Sequence, residues 1–446
     1  MHFLKPVLWL SLCLMGCLAS GAERGDRATR SRKVRVDQIT RGPYLQCGTA
    51  NSMVVRWRTD KADTSVVRYG EALTNLNLKA TSTGVATEHV VLLSGLKTNM
   101  QYFYAIGTTN LILGGSNGGH FFFTSPAPGT PQLTRIWALG DAGTRTTNQA
   151  NVRNAFYQFT GPTNTDVILL LGDNAYSAGT DKEYQGAIFD MYEKQLRTSV
   201  LWPTLGNHDG GSANSETQSG VYYDIFTLPT RGQAGGLPSG TEAYYSFDYG
   251  NIHFICLDSH DTDRSTNGLM LTWLKNDLAA NARDWIIAYW HHPPYSKGSH
   301  NSDDAKDSGG RLKEMRENAL PLLEAGGVDL VLSGHSHNYE RSYLIDGHYD
   351  TSDKLQPSMF KSKSDGRPDG RGAYVKPEQG PVPHAGAIYT VAGSAGHLGR
   401  GALNHPIMFV SLRVLGSLVV DVNGSRLDGT FLDDQGARRD YFSIVK

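Results

Sequence analysis

The hydrophobic pattern of the chain changes once, near residue 125. Over residues 40–125 the side chains alternate with a period of two. Val55 and Trp57 alternate with Arg56 and Arg58, and Tyr102, Tyr104 and Ile106 with Gln101, Phe103 and Ala105. Turns rich in Gly and Asn separate these runs, which predicts an N-terminal antiparallel β-sandwich without helices. Ser125-Pro126-Ala127-Pro128-Gly129-Thr130-Pro131 then breaks every period and reads as a stiff linker. From residue 131 to 446 strand-like and helix-like segments alternate, the sign of an α/β fold. Residues 136–139 and 166–171 are apolar runs of the kind a sheet covered on both faces requires. Between them Val152, Ala155, Phe156 and Phe159 make a helical stripe. A helix over 184–196 leads to a strand at 202–205, and a helix over 271–278 to a strand at 285–289. Leu312, Met315, Ala319 and Leu322 mark a helix stopped by Gly326-Gly327 before a strand at 328–332. Further strands at 387–392, 410–422 and 426–432 would add a second, more antiparallel sheet.

Five polar runs each end one of the predicted strands: Gly140-Asp141-Ala142-Gly143, Gly172-Asp173-Asn174-Ala175-Tyr176, Gly206-Asn207-His208-Asp209, His291-His292-Pro293 and Gly334-His335-Ser336-His337. In an open α/β sheet the carboxyl ends of the strands share one crevice, so scattered side chains can converge there. A Gly-Asp pair alone more often holds a turn. Two of them, Asp141 and Asp173, followed by this imidazole set, point to metal binding, and a carboxylate can bridge two cations. Tyr176, three residues beyond Asp173, can bring a phenolate, a hard ligand that favours an ion such as iron(III) over zinc. Asn207 offers an amide oxygen. His208 reads as a proton donor or phosphate partner, its plain alternative being a structural histidine bonded to a carboxylate. His335 and His337, spaced by two, project to one side. Of the adjacent pair, His291 is assigned to the crevice and His292 to a structural role. His300 lies in a polar loop and, taken alone, reads as a solvated histidine.

Composition adds the setting. The chain has 446 residues, room for two domains, and a formal charge of −1, which gives no reason to expect nucleic acid as a partner. Residues 1–22 carry Lys5, an apolar run over 7–18 and then Ser20-Gly21-Ala22, a secretory signal pattern; residues 23–39 form a charged linker. Leu14-Met15-Gly16-Cys17 loosely resembles a lipoprotein box, so lipidation at Cys17 stays open beside ordinary cleavage. Both routes imply export, secreted or periplasmic. No later segment has the ~18 apolar residues of a membrane helix. Cys47 and Cys256 read as small buried residues rather than a disulfide. Asn423-Gly424-Ser425 matches a glycosylation triplet, relevant only in a eukaryotic secretory route.

The five runs, in this order, resemble the metallophosphoesterase signature of the calcineurin-like phosphoesterases. Tyr176, with Asn338-Tyr339-Glu340-Arg341-Ser342 after His337, is similar to the purple acid phosphatase branch, and Leu93-Ser94-Gly95-Leu96 before Tyr102 resembles a turn of its fibronectin type III-like N-terminal domain. The resemblance implies a four-layer αββα catalytic domain over 131–446 behind a sandwich over 40–125. It implies that Asp141, Tyr176 and His337 hold iron(III), that Asp173 bridges, and that Asn207, His291 and His335 hold a divalent iron, zinc or manganese. It further implies that His208, and His300 beside it, contact a small phosphorylated substrate. Asn301 stands where a second substrate histidine is often found, which puts proton delivery and substrate preference in question. The implied activity is hydrolysis of phosphate monoesters of the acid phosphatase type. A phosphodiesterase or nucleotide hydrolase on the same scaffold, and a non-catalytic surface binding protein, stay open.

Overall fold

The computed structural model describes residues 38–446. The expected signal segment at 1–22, Cys17 and most of the linker at 23–39 lie outside the described residues.

The period of two at the N-terminus becomes six antiparallel strands. Ser52–Gly70 is their axis. It pairs Ile39–Gln46 along its first half, Gln101–Gly107 along its second and Leu78–Ser94 along both. Ile112–Gly115 and Phe121–Phe123 flank Gln101–Gly107. Val55, Trp57 and Tyr104 are fully buried between them. Arg56, on the opposite side of the alternation, is buried as well, because its guanidinium donates to the carbonyls of Asp224 and Phe226. This part is also stitched to the rest of the chain through the parallel pairing of Leu45 with Val200.

Beyond residue 131 two sheets lie face to face. One orders Arg438–Val445, Arg426–Asp433, Gly416–Asn423, Thr134–Leu139, Val167–Leu170 and Val200–Pro203. The other orders Tyr245–Tyr249, Ile252–Cys256, Trp285–Trp290, Leu330–Ser333, Ile388–Ala392, Tyr339–Ser342 and Met408–Leu412. Aromatic rings join them: Trp202 stacks on Phe247 with centroids 3.7 Å apart and Tyr339 on Phe431 at 3.9 Å. Each such pair buries a large apolar area between the sheets. Helix Thr147–Thr160 covers the first sheet, its Phe156 stacked on Trp137 at 3.9 Å. Helix Leu269–Ala280 is tied to the second sheet through Asp277 and His253 and packs on helix Leu320–Ala325. Helix, sheet, sheet, helix is the expected four-layer order.

The strands after residue 387 correct one expectation. They build no separate sheet. The run at 410–422 divides into Met408–Leu412 and Gly416–Asn423, which join different sheets. The expected helix over 312–322 runs without a gap through a π turn at Met315–Ala319, whereas that over 184–196 has a π turn at Gln185–Phe189 and is interrupted at 190–192 before Glu193–Leu196. A continuous apolar stripe fits both cases, because one extra residue per turn rotates the stripe without exposing it.

His253 ties strand Ile252–Cys256 to helix Leu269–Ala280. Its ring lies between Asp248 (2.7 Å) and Asp277 (2.8 Å). Burial alone would lower its pKa, but the two carboxylates raise it to about 9. A pKa raised on folding stabilises fully below the unfolded value of about 6.5, and the contribution is lost as pH climbs through 9. The melting temperature of the wild type should therefore exceed that of His253→Asn most at pH 6 and least at pH 10. A gap that stays constant across that range would remove the charge from the explanation.

Candidate metal centre

The polar runs follow Thr134–Leu139, Val167–Leu170 and Val200–Pro203 in one sheet and Trp285–Trp290 and Leu330–Ser333 in the other. Because the sheets face each other, the runs meet at a single rim. Their backbones are drawn close there. A Cβ on Gly206 would stand 2.1 Å from the Asp173 nitrogen, and one on Gly334 2.5 Å from Asp141 Oδ2, so neither position has room for a side chain. Asp141, Asp173 and His335 hold φ of 56°, 52° and 65°, the left-handed region that residues with a Cβ seldom adopt. Such strain persists where surrounding structure enforces it, and it gathers at functional sites. Asp209 enforces part of it: fully buried, its carboxylate accepts from the Gly206 and Asn174 amides and from the Tyr184 hydroxyl.

All nine residues singled out in the sequence lie at this rim. The Tyr176 hydroxyl is 3.0 Å from Asp141 Oδ1 and 3.1 Å from Asp173 Oδ2. His337 Nε2 is 3.4 Å from Asp141 Oδ1. On the other side of Asp173, its Oδ1 is 3.4 Å from His291 Nε2, which is 3.1 Å from Asn207 Oδ1 and 3.1 Å from His335 Nδ1. Asp173 thus turns one oxygen to each donor set. Two ligands held at about 2.1 Å from one ion, at right angles, stand about 3 Å apart. The observed separations match that spacing twice over, side by side.

Electrostatics agree with a place made for positive charge. Asp173 is buried, which by itself would raise its pKa, yet the facing His291 and His208 hold it well below the usual carboxylate range. Burial would lower His291, and Asp173 and Asp141 raise it to about 9. Burial and the neighbouring imidazole of His291 push His335 well below its ordinary value, so it stays neutral, the form that ligates. Tyr176 is raised well above 10 by burial and by the two carboxylates. It keeps its proton unless a strongly charged cation displaces it. The residues fit a pair of cations, one set rich in anionic oxygen and one rich in neutral nitrogen and amide.

The outer groups follow. His208 is bonded through Nδ1 to the Ser177 carbonyl (2.6 Å), which leaves Nε2 toward the rim, 3.9 Å from Asp173 Oδ2. His300 stacks on His335 with centroids 3.7 Å apart, its Nδ1 bonded to Asp307 Oδ1 (2.8 Å). His292 turns Nδ1 to the Ser259 hydroxyl. Three residues at the rim have no counterpart in the sequence reading. Asp307 orients His300, and Ser308 reaches His335 Nε2 at 2.6 Å from a run of left-handed residues, Ser308 to Gly310. His397 lies 3.0 Å from His337. Its signal was available: Gly393-Ser394-Ala395-Gly396-His397 leaves a strand as the other runs do.

Comparison with known proteins agrees with this picture. The model of the calcineurin-like phosphoesterases matches residues 134–339, and that of the purple acid phosphatase N-terminal domain residues 41–125. Purple acid phosphatase 15 of Arabidopsis thaliana is 28% identical over 284 residues, covering 58% of this chain and 50% of that protein. Purple acid phosphatase 18 of the same plant is 27% identical over 329 residues, covering 70% and 68%. The chain spans 50% and 58% of the first two curated relatives it matches. In fold it resembles purple acid phosphatase PPD1 from yellow lupin (Lupinus luteus) seeds, with TM-score 0.69, 19% identity and coverage of 90% of this chain and 74% of that one. It also resembles PhoD, with TM-score 0.62, 16% identity and coverage of 91% and 90%. The chain therefore combines a calcineurin-like phosphoesterase domain with a purple acid phosphatase N-terminal domain.

Proposed function

We propose that this chain is an exported phosphatase of the acid phosphatase type, hydrolysing phosphate monoesters at the rim around Asp173. The observation that carries the reading is that the buried Asp173 carboxylate turns one oxygen toward each donor set. Asp141, Tyr176 and His337 would hold iron(III) with Asp173, and Asn207, His291 and His335 a divalent iron, zinc or manganese with the same carboxylate. Two such ions supply neutralisation of phosphoryl charge and activation of water. The protein supplies the rest. His291 is fixed by its Nδ1 bond to the Leu171 carbonyl, which leaves Nε2 for ligation. His208, held by Ser177, presents Nε2 where a leaving oxygen needs a proton. His300, held by Asp307, keeps its other ring nitrogen for the substrate. Export rests on the pattern of residues 1–22; among the described residues no helix is long and apolar enough to cross a membrane. The division into a domain over 40–125 and a catalytic domain over 131–446 belongs to the same proposal.

Purified protein assayed with para-nitrophenyl phosphate and with the bis-para-nitrophenyl diester, across acid to neutral pH, tests the substrate class. The monoester should turn over faster, most strongly in mild acid. Preference for the diester would replace the reading by a phosphodiesterase, and no turnover of either by a binding protein. Tyr176→Phe should remove a visible charge-transfer band while the melting temperature stays near wild type; an unchanged band would take Tyr176 out of the metal set.

A further inference from the structure

We propose that His397 is a further substrate-contacting residue of this rim, donating a hydrogen bond from its ring to a phosphoryl oxygen of the bound ester. The proposal rests on the reading of the rim as a phosphoesterase site. Strand Ile388–Ala392 runs parallel to Leu330–Ser333, so its carboxyl end reaches the same rim as the His335 run. The chain that leaves it is pinned on both sides. The Ala395 amide donates to the Gly140 carbonyl (3.2 Å) and the Gly399 amide to the His337 carbonyl (2.9 Å). A Cβ on Gly396 would fall 2.6 Å from the Asp141 carbonyl oxygen, so this segment lies directly against the Asp141 run. The backbone that carries His397 is therefore held in place by contacts of its neighbours, independent of the His397 side chain.

Its ring stands where a substrate would meet it. Nε2 is 3.0 Å from His337 Nε2, and the ring meets Tyr176 edge-on with centroids 5.0 Å apart. His208 lies against the same Tyr176 ring at 4.4 Å. Two imidazoles thus flank the phenol, delivered by strands of opposite sheets. Between His337 and His397 a single hydrogen bond satisfies both facing nitrogens. Were His337 to hold a cation through Nε2, that bond would be lost and a His397 N–H would need another acceptor. A phosphoryl oxygen bound beside Tyr176 is an acceptor of the right kind. Asn301 lies on the exposed side of the loop, where its amide oxygen accepts from the Asp303 backbone. A third substrate-facing imidazole, beside His208 and His300, would thus come from a strand end far along the chain from His300.

The test compares wild type, His397→Ala and His397→Asn as full chains loaded with metal. Metal content is measured by elemental analysis and inorganic phosphate binding by calorimetry. Both variants should hold metal at the wild-type stoichiometry. His397→Ala should bind phosphate about tenfold more weakly, the loss expected for one hydrogen bond to a charged group, and raise KM for a monoester more than it lowers kcat. His397→Asn, which keeps a donor, should recover part of that affinity. Unchanged phosphate affinity in His397→Ala with full metal content would overturn the proposal. Loss of metal in both variants would overturn it too, by making His397 a ligand or a prop for His337. A wild type that holds metal but neither binds phosphate nor hydrolyses esters would instead sink the phosphoesterase reading on which it stands.

Discussion

Asp173→Asn should lower hydrolysis of a phosphate monoester by about a thousandfold or more and lose bound metal at the same time. The substitution keeps the shape of the side chain and removes one charge and one acceptor. Asp173 Oδ1 accepts from the His208 amide (2.8 Å) and faces His291, while Oδ2 faces the Tyr176 hydroxyl. Whichever position the amide nitrogen takes, it turns a donor toward a donor or removes an acceptor from one of the two sets. A single removed oxyanion-stabilising donor already costs 10²–10³-fold in other enzymes, roughly, and here the charge shared by both sets is lost. The variant should still fold, because the carboxylate lies at the rim and not between packed layers. Activity and metal content measured on the same preparation decide the matter. Full metal with full turnover would free Asp173 from the bridging role.

Asp329→Ala should cost about 3–5 kcal/mol of stability, seen as a melting temperature lower by several degrees, without direct effect on the rim. Asp329 is fully buried at the start of strand Leu330–Ser333. Its oxygens accept from Lys376 Nζ (2.6 Å), from Lys446 Nζ (2.8 Å) and from the Ile286 amide (2.9 Å). Both lysine side chains are 1% exposed. Removing the carboxylate strands two buried ammonium groups, and that imbalance, rather than the lost attraction, sets the magnitude. Asp329→Asn, which keeps an acceptor and loses the charge, should fall between wild type and Asp329→Ala. If Asp329→Ala melts within a degree of wild type, the two lysines find carbonyl partners enough without it. Val328, Asp284 and Gly380 already offer such carbonyls.

The rim was legible in the sequence because its residues obey one local rule: an apolar strand, a glycine or short turn, then a ligand type. Asp141, Asp173, Asn207 and His335 all follow it, and the glycines are explained by how closely the five backbones approach. His397 follows the rule as well, but an isolated histidine after a late strand carries little weight until the sheet order places it beside His337. Asp307 and Ser308 were not legible at all. Their role depends on a left-handed stretch through Ser308, Gly309 and Gly310 that carries Ser308 onto His335, a long-range fit with no periodic signature. The fold shows the same division. Strand positions follow from period and composition, as for residues 136–139 within Thr134–Leu139. Which sheet a strand joins does not, since Met408–Leu412 and Gly416–Asn423 read as one apolar run yet part at Arg413. Partner choice is set by the packed layers and not by the strand itself.

The central claim is that one rim cages two cations with Asp173 between them. Crystals of the purified protein, with data collected at the absorption edges of iron, zinc and manganese, address it directly. The account predicts two anomalous peaks about 3.5–4 Å apart, one beside Tyr176 and His337 and one beside His291 and His335, the former from iron. A single peak, or metal lying away from Asp173 in protein that hydrolyses the ester, would contradict it.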